Sequence, residues 1–195
     1  MAYVNVAEYY IGEALFPQAA RFLNRAAEHM VEEERFHEAA ELFERTLRLC
    51  MDDNLMRFNT PGLALNIVLC FLALRDDERA LDFVEDYGQE DYMFIVSREK
   101  RFCVNIILCA QDRRADDFMD HLWNFDYVVE FEPFQLKLLE DVYEGICQQV
   151  DEEEEQEESS GPDSWQSSEE ESEEEDEEES SEDSDVSEDE SSAAI

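Results

Sequence analysis

Three residues with the spacing of metal ligands stand out in the sequence. His29, Glu33 and His37 follow one another at intervals of four, so one continuous helix would place them on a single face. Two histidines and a carboxylate are a ligand set that zinc accepts. The chain between His29 and His37 is expected to turn, however, and its other glutamates are typical of a solvated face. We therefore expect no metal and no other cofactor.

Adjacent acidic residues, such as Asp52–Asp53 and Asp116–Asp117, are the nearest approach to a general acid and base pair. Pairs of this kind at turns are ordinarily helix caps and solubilising residues. The sequence contains no Gly-rich phosphate loop, no HExxH motif and no Ser/His/Asp arrangement, and it has only five glycines. We expect no catalytic residue, and the protein is not expected to be an enzyme.

Basic residues gather at two points of an otherwise acidic sequence. Arg98, Lys100 and Arg101 begin one predicted helix, and Arg113 and Arg114 begin the next. Both groups are expected near one turn region, where they would meet an acidic partner surface through charge-assisted hydrogen bonds. The alternative is local pairing with the acidic residues around them, which are Glu99, Asp112, Asp116 and Asp117.

Six serines near the C-terminus have an acidic residue three positions downstream. An acidophilic kinase recognises this arrangement because its basic cleft binds the downstream carboxylate, and each phosphate adds about −1.5 to −2 charges. The candidate phosphorylation sites are Ser160, Ser167, Ser168, Ser172, Ser180 and Ser187. Trp165, the one aromatic residue among them, is either the anchor of a short linear motif or a residue without such a role.

The charge distribution divides the chain near Val150. Residues 151–195 contain 24 Asp or Glu and 12 Ser but no Lys or Arg, so they carry −24 of the net charge of −40. Such a segment cannot bury enough apolar surface to offset an ordering entropy of about 1–2 kcal/mol per residue. We predict a helical-repeat domain over residues 1–150 and a disordered acidic tail over residues 151–195. No nucleic-acid partner is expected, because the protein would repel phosphates.

Apolar residues in the first 150 positions recur at intervals of three and four, which predicts an all-α fold. Thr60, Ser97 and Asp112 precede three of the helices and are expected to cap them, with Pro61 at a first helical position. The predicted helices run from Pro17 to Met30, from after His37 to Cys50, from Thr60 onward, from Asp76 or Asp77 to Tyr87, from Ser97 to Ala110, from Asp112 to Leu122, and from Pro133 to about Val150.

Small residues recur along these helices at Ala39, Ala80 and Ala115, each after an apolar helix and before large apolar residues. Stacked helix pairs need a small residue where two helices cross. The spacing is tetratricopeptide-like and predicts a right-handed solenoid of helical hairpins. An irregular helical bundle is the alternative.

Features of targeting and of disulfide frameworks are lacking. The N-terminus has no basic stretch before an apolar core, and the apolar run from Leu63 to Leu74 is shorter than the ~20 residues that span a bilayer. Five cysteines, odd in number and without a CxxC pair, are typical of buried thiols in a reducing compartment. We expect a soluble cytoplasmic protein that associates with membranes at most peripherally.

The residues at 32–42, EEERFHEAAEL, resemble a repeat of soluble NSF attachment proteins. The gamma type is the most similar, since the segment RFCVNIILCAQDRRADDFMDHLWNFDYVVEF at 101–131 resembles its C-terminal part. A closing helix with Leu138, Leu139, Glu140, Tyr143 and Gln148–Gln149 follows that segment. The likeness covers about residues 8–150 and depends on repeat spacing and apolar pattern.

This resemblance implies an adaptor whose helical solenoid lies against a SNARE bundle and whose C-terminal end meets the hexameric ATPase NSF, without hydrolysing ATP itself. It also implies that Glu140, Asp141 and Glu144 of the closing helix contact a basic domain of the ATPase. Compared with the family, the N-terminal repeats and membrane-touching loop are expected to be missing. The acidic stretch is longer and Ser-rich, and it ends in Ala193–Ala194–Ile195 instead of a terminal Leu.

The acidic tail suggests a second function of another class. A segment of charge −24 attracts any polycation. The alternative hypothesis is therefore a helical-repeat scaffold whose tail binds basic proteins, as acidic histone chaperones do. The helical body favours the adaptor, whereas the tail favours the scaffold.

Overall fold

Helices make up nearly all of the part that the computed structural model describes, which comprises the backbone of residues 2–159 and the side chains of residues 2–149. No strand occurs in this part, so the predicted all-α fold is confirmed. The helices are α1 (Ala2–Gly12), α2 (Phe16–Glu32), α3 (Phe36–Met51), α4 (Thr60–Ala73), α5 (Asp77–Glu90), α6 (Tyr92–Ile95), α7 (Arg98–Gln111), α8 (Ala115–Asp126) and α9 (Pro133–Ser159). A single 3₁₀ turn, Arg57–Asn59, precedes α4.

Neighbouring helices pack in chain order, and the last helix then returns to earlier ones. The pairs α1–α2, α2–α3, α3–α4, α4–α5 and α7–α8 are in contact, while α7 also packs on α4 and α5. Helix α9 packs against α4 and α2, and its Phe134 ring also lies 5.9 Å from the ring of Phe43 in α3. The core therefore joins both ends of the array through α9.

The crossing residues identified in the sequence lie where the solenoid pattern requires small side chains. Ala39 in α3 and Ala80 in α5 are completely buried. Ala115, at the start of α8, is partly buried against the same core. Four of the five thiols, those of Cys50, Cys70, Cys103 and Cys109, are buried as predicted.

Four hairpin turns share one backbone geometry. The second residue after the first helix of each pair is left-handed, with φ of 56° at Ala14, 61° at Glu34, 61° at Arg75 and 55° at Arg113. At each of these turns one N–H bonds the carbonyl three residues back and the next N–H the carbonyl five back, as in a Schellman motif. The residue that follows has ψ between 62° and 83° and precedes the next helix. The repeat is thus visible in the turns of the backbone.

Several helix boundaries differ from the sequence prediction. Thr60 does not cap α4: Asn59 occupies the cap position without a side-chain bond, and the hydroxyl of Thr60 is directed to Asp91. Asp112 does not cap α8 either, because it ends α7 and the turn through Arg113 delays the next helix to Ala115. Ser97 does cap α7, and Asp76 caps α5.

Helix α9 continues to Ser159, beyond the predicted end near Val150. Its first half is packed on the core, and extending an established helix through glutamates, which are good helix formers, is far easier than nucleating one. The domain boundary predicted at residue 150 therefore falls inside a helix. Residues 160–195, for which disorder is predicted, lie outside the described residues.

A buried carboxylate fastens the end of α5 to the start of α4. Asp91 is 2 % exposed, and its Oδ2 accepts hydrogen bonds from Thr60 Oγ1 at 2.6 Å and from the Tyr87 hydroxyl at 2.7 Å. Its Oδ1 accepts a bond from the N–H of Met93. Burial raises the pKa of Asp91, but these bonds and the charge of Arg57 outweigh it and hold the pKa below its ordinary value.

The turn between α4 and α5 fastens α9. Arg75 donates hydrogen bonds from Nη1 to the carbonyl of Val142 at 3.0 Å and from Nη2 to that of Asp141 at 2.8 Å. The guanidinium lies directly over Gly145, where an added Cβ would stand 1.6 Å from it. The absence of a side chain at Gly145 is thus what allows Arg75 to reach the helix backbone.

We predict that Asp91→Asn lowers the free energy of unfolding by about 1–3 kcal/mol at pH 7, because the hydroxyl donors lose a charged acceptor. A depressed pKa contributes stability above the unfolded value of about 3.9, and this contribution disappears as the pH falls through the folded pKa. The difference between wild type and variant in urea unfolding should therefore shrink between pH 5 and pH 3. Exposed Asp82→Asn is the control, and a difference independent of pH would contradict the assignment.

We predict that Gly145→Ala destabilises the wild type but stabilises the Arg75→Ala variant. In the wild type the new methyl displaces the guanidinium and breaks both hydrogen bonds, whereas without Arg75 only the gain in helix propensity remains, about 0.5–1 kcal/mol. A double-mutant cycle from urea unfolding measures this coupling. Gly62→Ala, where an added Cβ meets nothing within 4 Å, should have the same effect in both backgrounds. Equal effects of Gly145→Ala in both backgrounds would disprove the clamp.

Candidate partner-binding surfaces

The candidate contacts on α9 form an acidic surface with one glutamate from another helix pair. Glu140 and Glu144 are exposed one turn apart, and Asp141 beside them is half-buried. Glu34, at the turn between α2 and α3, also acts on the carboxyl of Asp141. We call Glu34, Glu140, Asp141 and Glu144 the acidic face. Glu34 was not among the contacts predicted from the sequence, because only the fold brings it to α9.

The carboxyl group of Asp141 lies in an unfavourable electrostatic environment. Burial and the carboxylates of Glu34, Glu144 and Glu140 raise its pKa, and Lys137 only partly offsets them. The Oδ2 atom of Asp141 is buried and has no hydrogen-bond partner among the described residues. A cationic group that approached this face would relieve the repulsion, so the face suits a basic partner.

Lys137 attaches the acidic face to the rest of the domain. Its Nζ donates to the carbonyl of Glu32 at 3.1 Å and lies 3.4 Å from Oε1 of Glu34. One helical turn later, Arg75 grips the backbone at Asp141 and Val142. The exposed carboxylates of Glu140 and Glu144 are therefore presented by a helix that two hairpin turns hold in place.

The predicted basic residues lie at opposite ends of α7. Arg98, Lys100 and Arg101 belong to its first turn, whereas Arg113 and Arg114 follow its last residue. A helix of 14 residues is about 20 Å long at 1.5 Å per residue. The first group lies at the start of α7 and the second follows its end, so the two groups are not located at one turn.

Local pairing, the alternative for these residues, accounts for two of the arginines. Arg114 lies 3.1 Å from Asp112 and 2.6 Å from Asp117, and the bond from its side chain to Asp117 raises its pKa. Arg98 Nε lies 3.6 Å from Oε1 of Glu99. Arg101 is exposed and has no such carboxylate among the described residues.

Two grooves meet at the first turn of α7, and Arg98 and Arg101 line both of them. The larger has a volume of about 980 Å³ and lies among α2, α3, α4, α7 and the start of α9. The smaller, of about 460 Å³, lies between α7 and α8 beside Phe102, His121 and Val128. The first turn of α7 therefore projects its cations between two concave surfaces.

The residues considered as zinc ligands are separated by the turn between α2 and α3. His29 pairs with Glu32 at 3.1 Å, and His37, on the next helix, lies 3.5 Å from Glu41. No group of three potential ligands capable of holding a metal is found within residues 2–149. Likewise, none of the helices in the described range is both long and apolar enough to cross a membrane.

The six candidate phosphorylation sites and Trp165 all lie outside the described residues. Their assignment therefore remains a prediction from the sequence. Within the described part of the chain, the residues predicted to contact partners lie on the acidic face and beside the grooves and ends of α7.

Comparison with known proteins gives a consistent family. The model of the family "Soluble NSF attachment protein, SNAP" matches residues 1–147. Similar curated proteins include a probable vesicular-fusion protein sec17 homolog of Neurospora crassa, 25% identical over 71% of this chain and 47% of its own length. The alpha-soluble NSF attachment protein of Saccharomyces cerevisiae is 24% identical over 60% of this chain and 40% of its own. The beta-soluble NSF attachment protein of Bos taurus is 22% identical over 74% and 48%.

The chain spans about half the length of these curated relatives. Their names cover alpha, beta and Sec17-type proteins, so the gamma type suggested by the sequence remains a prediction. The family match extends over three quarters of the chain and includes helices α1 to α8 with most of the packed part of α9. The chain therefore belongs to the soluble NSF attachment protein family.

Proposed function

We propose that this protein acts as an adaptor in intracellular vesicle fusion, linking a SNARE complex to the ATPase NSF so that the complex can be disassembled. Family membership supports the role, since relatives are named for attachment of NSF and for vesicular fusion. The adaptor contributes binding surfaces and no hydrolysis of its own. It would act in the cytoplasm, with peripheral contact to membranes through its partners.

The observation that carries this proposal is the acidic face. Three carboxylates of α9 and one from the turn between α2 and α3 lie there, and burial together with the repulsion of its neighbours raises the pKa of Asp141. Complementary charge mainly increases the association rate and orients the partners. We infer that a basic domain of NSF binds at Glu140, Asp141 and Glu144, with Glu34 beside them.

The basic residues are assigned to the other partner. Arg98, Lys100 and Arg101 stand on the first turn of α7, and Arg113 and Arg114 stand beyond its last turn. Arg114 already has two carboxylates, so its availability is lower than that of Arg101. We infer that the first group is the principal contact to an acidic SNARE surface and that the second is subsidiary.

We predict that the combined variant Glu140→Lys, Asp141→Asn, Glu144→Lys weakens NSF binding tenfold or more at about 0.15 M salt, where the Debye length is ~8 Å. Each exposed pair contributes only a few tenths to 1 kcal/mol, so single reversals would change little. Asn replaces Asp141 because a lysine there would confront Lys137. Surface plasmon resonance with immobilised NSF measures the affinity, and circular dichroism checks the fold.

The matched control is Glu85→Lys with Asp86→Lys, two exposed acidic residues of α5 outside the acidic face. Both variants are compared in the full chain and in a chain ending at Ser159, because the tail could attract NSF by itself. Binding by the shortened acidic-face variant equal to that of its parent would refute the proposed NSF surface. If binding of NSF and binding of histones both depended on residues 160–195 alone, the acidic-tail scaffold would be favoured.

A further inference from the structure

The larger groove contains arginines that have no partner. Most other guanidinium groups in residues 2–149 are engaged: those of Arg25, Arg35, Arg45, Arg48, Arg98 and Arg114 with carboxylates, that of Arg75 with carbonyls, and that of Arg79 over the ring of Phe71. Arg21 on α2 and Arg101 on α7 make neither a hydrogen bond nor an ion pair with any described residue. Both of these exposed side chains line the same groove.

The walls of this groove are partly apolar. Phe58, which is 72% exposed, and Val96, which is 60% exposed, stand at the loops before α4 and α7. Pro17, Leu63 and Phe134 contribute further apolar surface from three different helices. Large apolar side chains exposed beside a concavity are typical of a binding site for a protein segment.

A residue that lines the same groove carries an unsatisfied acceptor. The Oδ1 atom of Asn24, one turn after Arg21 on α2, is buried and has no hydrogen-bond donor within the described part of the chain. A buried acceptor without a donor costs free energy until a ligand supplies one. The groove thus combines two unpaired cations, one acceptor and apolar walls.

We propose that this groove binds a segment of an acidic partner protein. Two carboxylates of the segment pair with Arg21 and Arg101, an N–H or O–H donor meets Asn24, and one large apolar side chain lies against Phe58 and Val96. The inference deepens the proposed adaptor function, since it gives Arg98 and Arg101 a defined partner chemistry. Arg21 and Asn24 extend the site onto a second helix.

Charge and shape together favour this occupant over others. The first 150 residues carry −16 overall, so two arginines without carboxylates are unusual in this domain. Glu28, Glu99 and Glu132 also line the groove and repel any anion placed beside them. The segment must therefore place its carboxylates at the two arginines, whereas a nucleic acid carries a phosphate at every nucleotide. A single extended or helical segment fits a groove among five helices.

The test is a selection of random 12-residue peptides displayed on phage against the full chain, followed by fluorescence anisotropy with the enriched peptides. We expect peptides that combine several Asp or Glu with one large apolar residue. Their affinity should fall at least tenfold in the Arg21→Ala, Arg101→Ala variant and also in Val96→Ser. Because neither arginine makes a hydrogen bond or ion pair with a described residue, circular dichroism should show an unchanged fold for the first variant.

The control variant Arg35→Ala, Arg48→Ala removes the same charge from two exposed arginines outside the groove, and it should bind the peptides like the wild type. Enrichment of peptides without acidic residues, an equal loss in the control, or no enrichment over the double variant would each overturn the proposal. Self-association of the wild type that is lost in the Arg21→Ala, Arg101→Ala variant in sedimentation velocity would instead identify a second copy as the occupant. Neither NSF nor a SNARE complex is used, so this outcome is separate from that of the proposed function.

Discussion

The left-handed residue at the end of four helices is the constraint on which the array depends. A residue with a Cβ at φ near +60° is strained by roughly 1–2 kcal/mol relative to right-handed backbone, and glycine would avoid this strain. Two of these positions use their side chains to hold α9: Glu34 through Lys137, and Arg75 through the carbonyls of Asp141 and Val142. At these two turns the strained position thus reverses the chain and also attaches the closing helix, which a glycine could not do.

The contrast between the helices and these turns shows which parts of the fold could be predicted from the sequence. Apolar periodicity locates α2 to α5 and α7 to α9, because burial of one face is a local property of the sequence. Helices α1 and α6 were not predicted, since each buries only one residue. The turns carry Ala, Glu and Arg where a helix-end glycine is the usual signal, so the sequence contains no mark of their shared geometry. Thr60 was wrongly assigned as a cap because its hydroxyl bonds Asp91, which is 31 positions away in the chain. A contact of that separation has no local signature.

The residues of the candidate surfaces likewise include some that the sequence predicts and some that only the fold brings together. Spacing alone places Glu140 and Glu144 on one face of a helix, and the structure agrees. Glu34 and Arg21 could not be included from the sequence. Only folding places Glu34 beside α9 and Arg21 in the groove that α7 also lines. The basic groups illustrate the opposite limit. They were expected near one turn region, but the helix that was correctly predicted between them, α7, separates them by its length.

Helix α9 connects the two surfaces at which partners are proposed to bind. Phe134 and Gln135 line the larger groove, and Gln135 donates to Asn66 of α4 at 2.7 Å. Glu140, Asp141 and Glu144 of the acidic face follow on the same helix, after Lys137 has anchored it to the end of α2. Helix α9 has intact backbone hydrogen bonds and is fixed both beside the groove and beside the acidic face. The distance between the groove and the acidic face therefore stays nearly constant. A partner held at the groove would therefore have a fixed position and orientation relative to the acidic face, and this fixed relation is the mechanical requirement of the proposed adaptor.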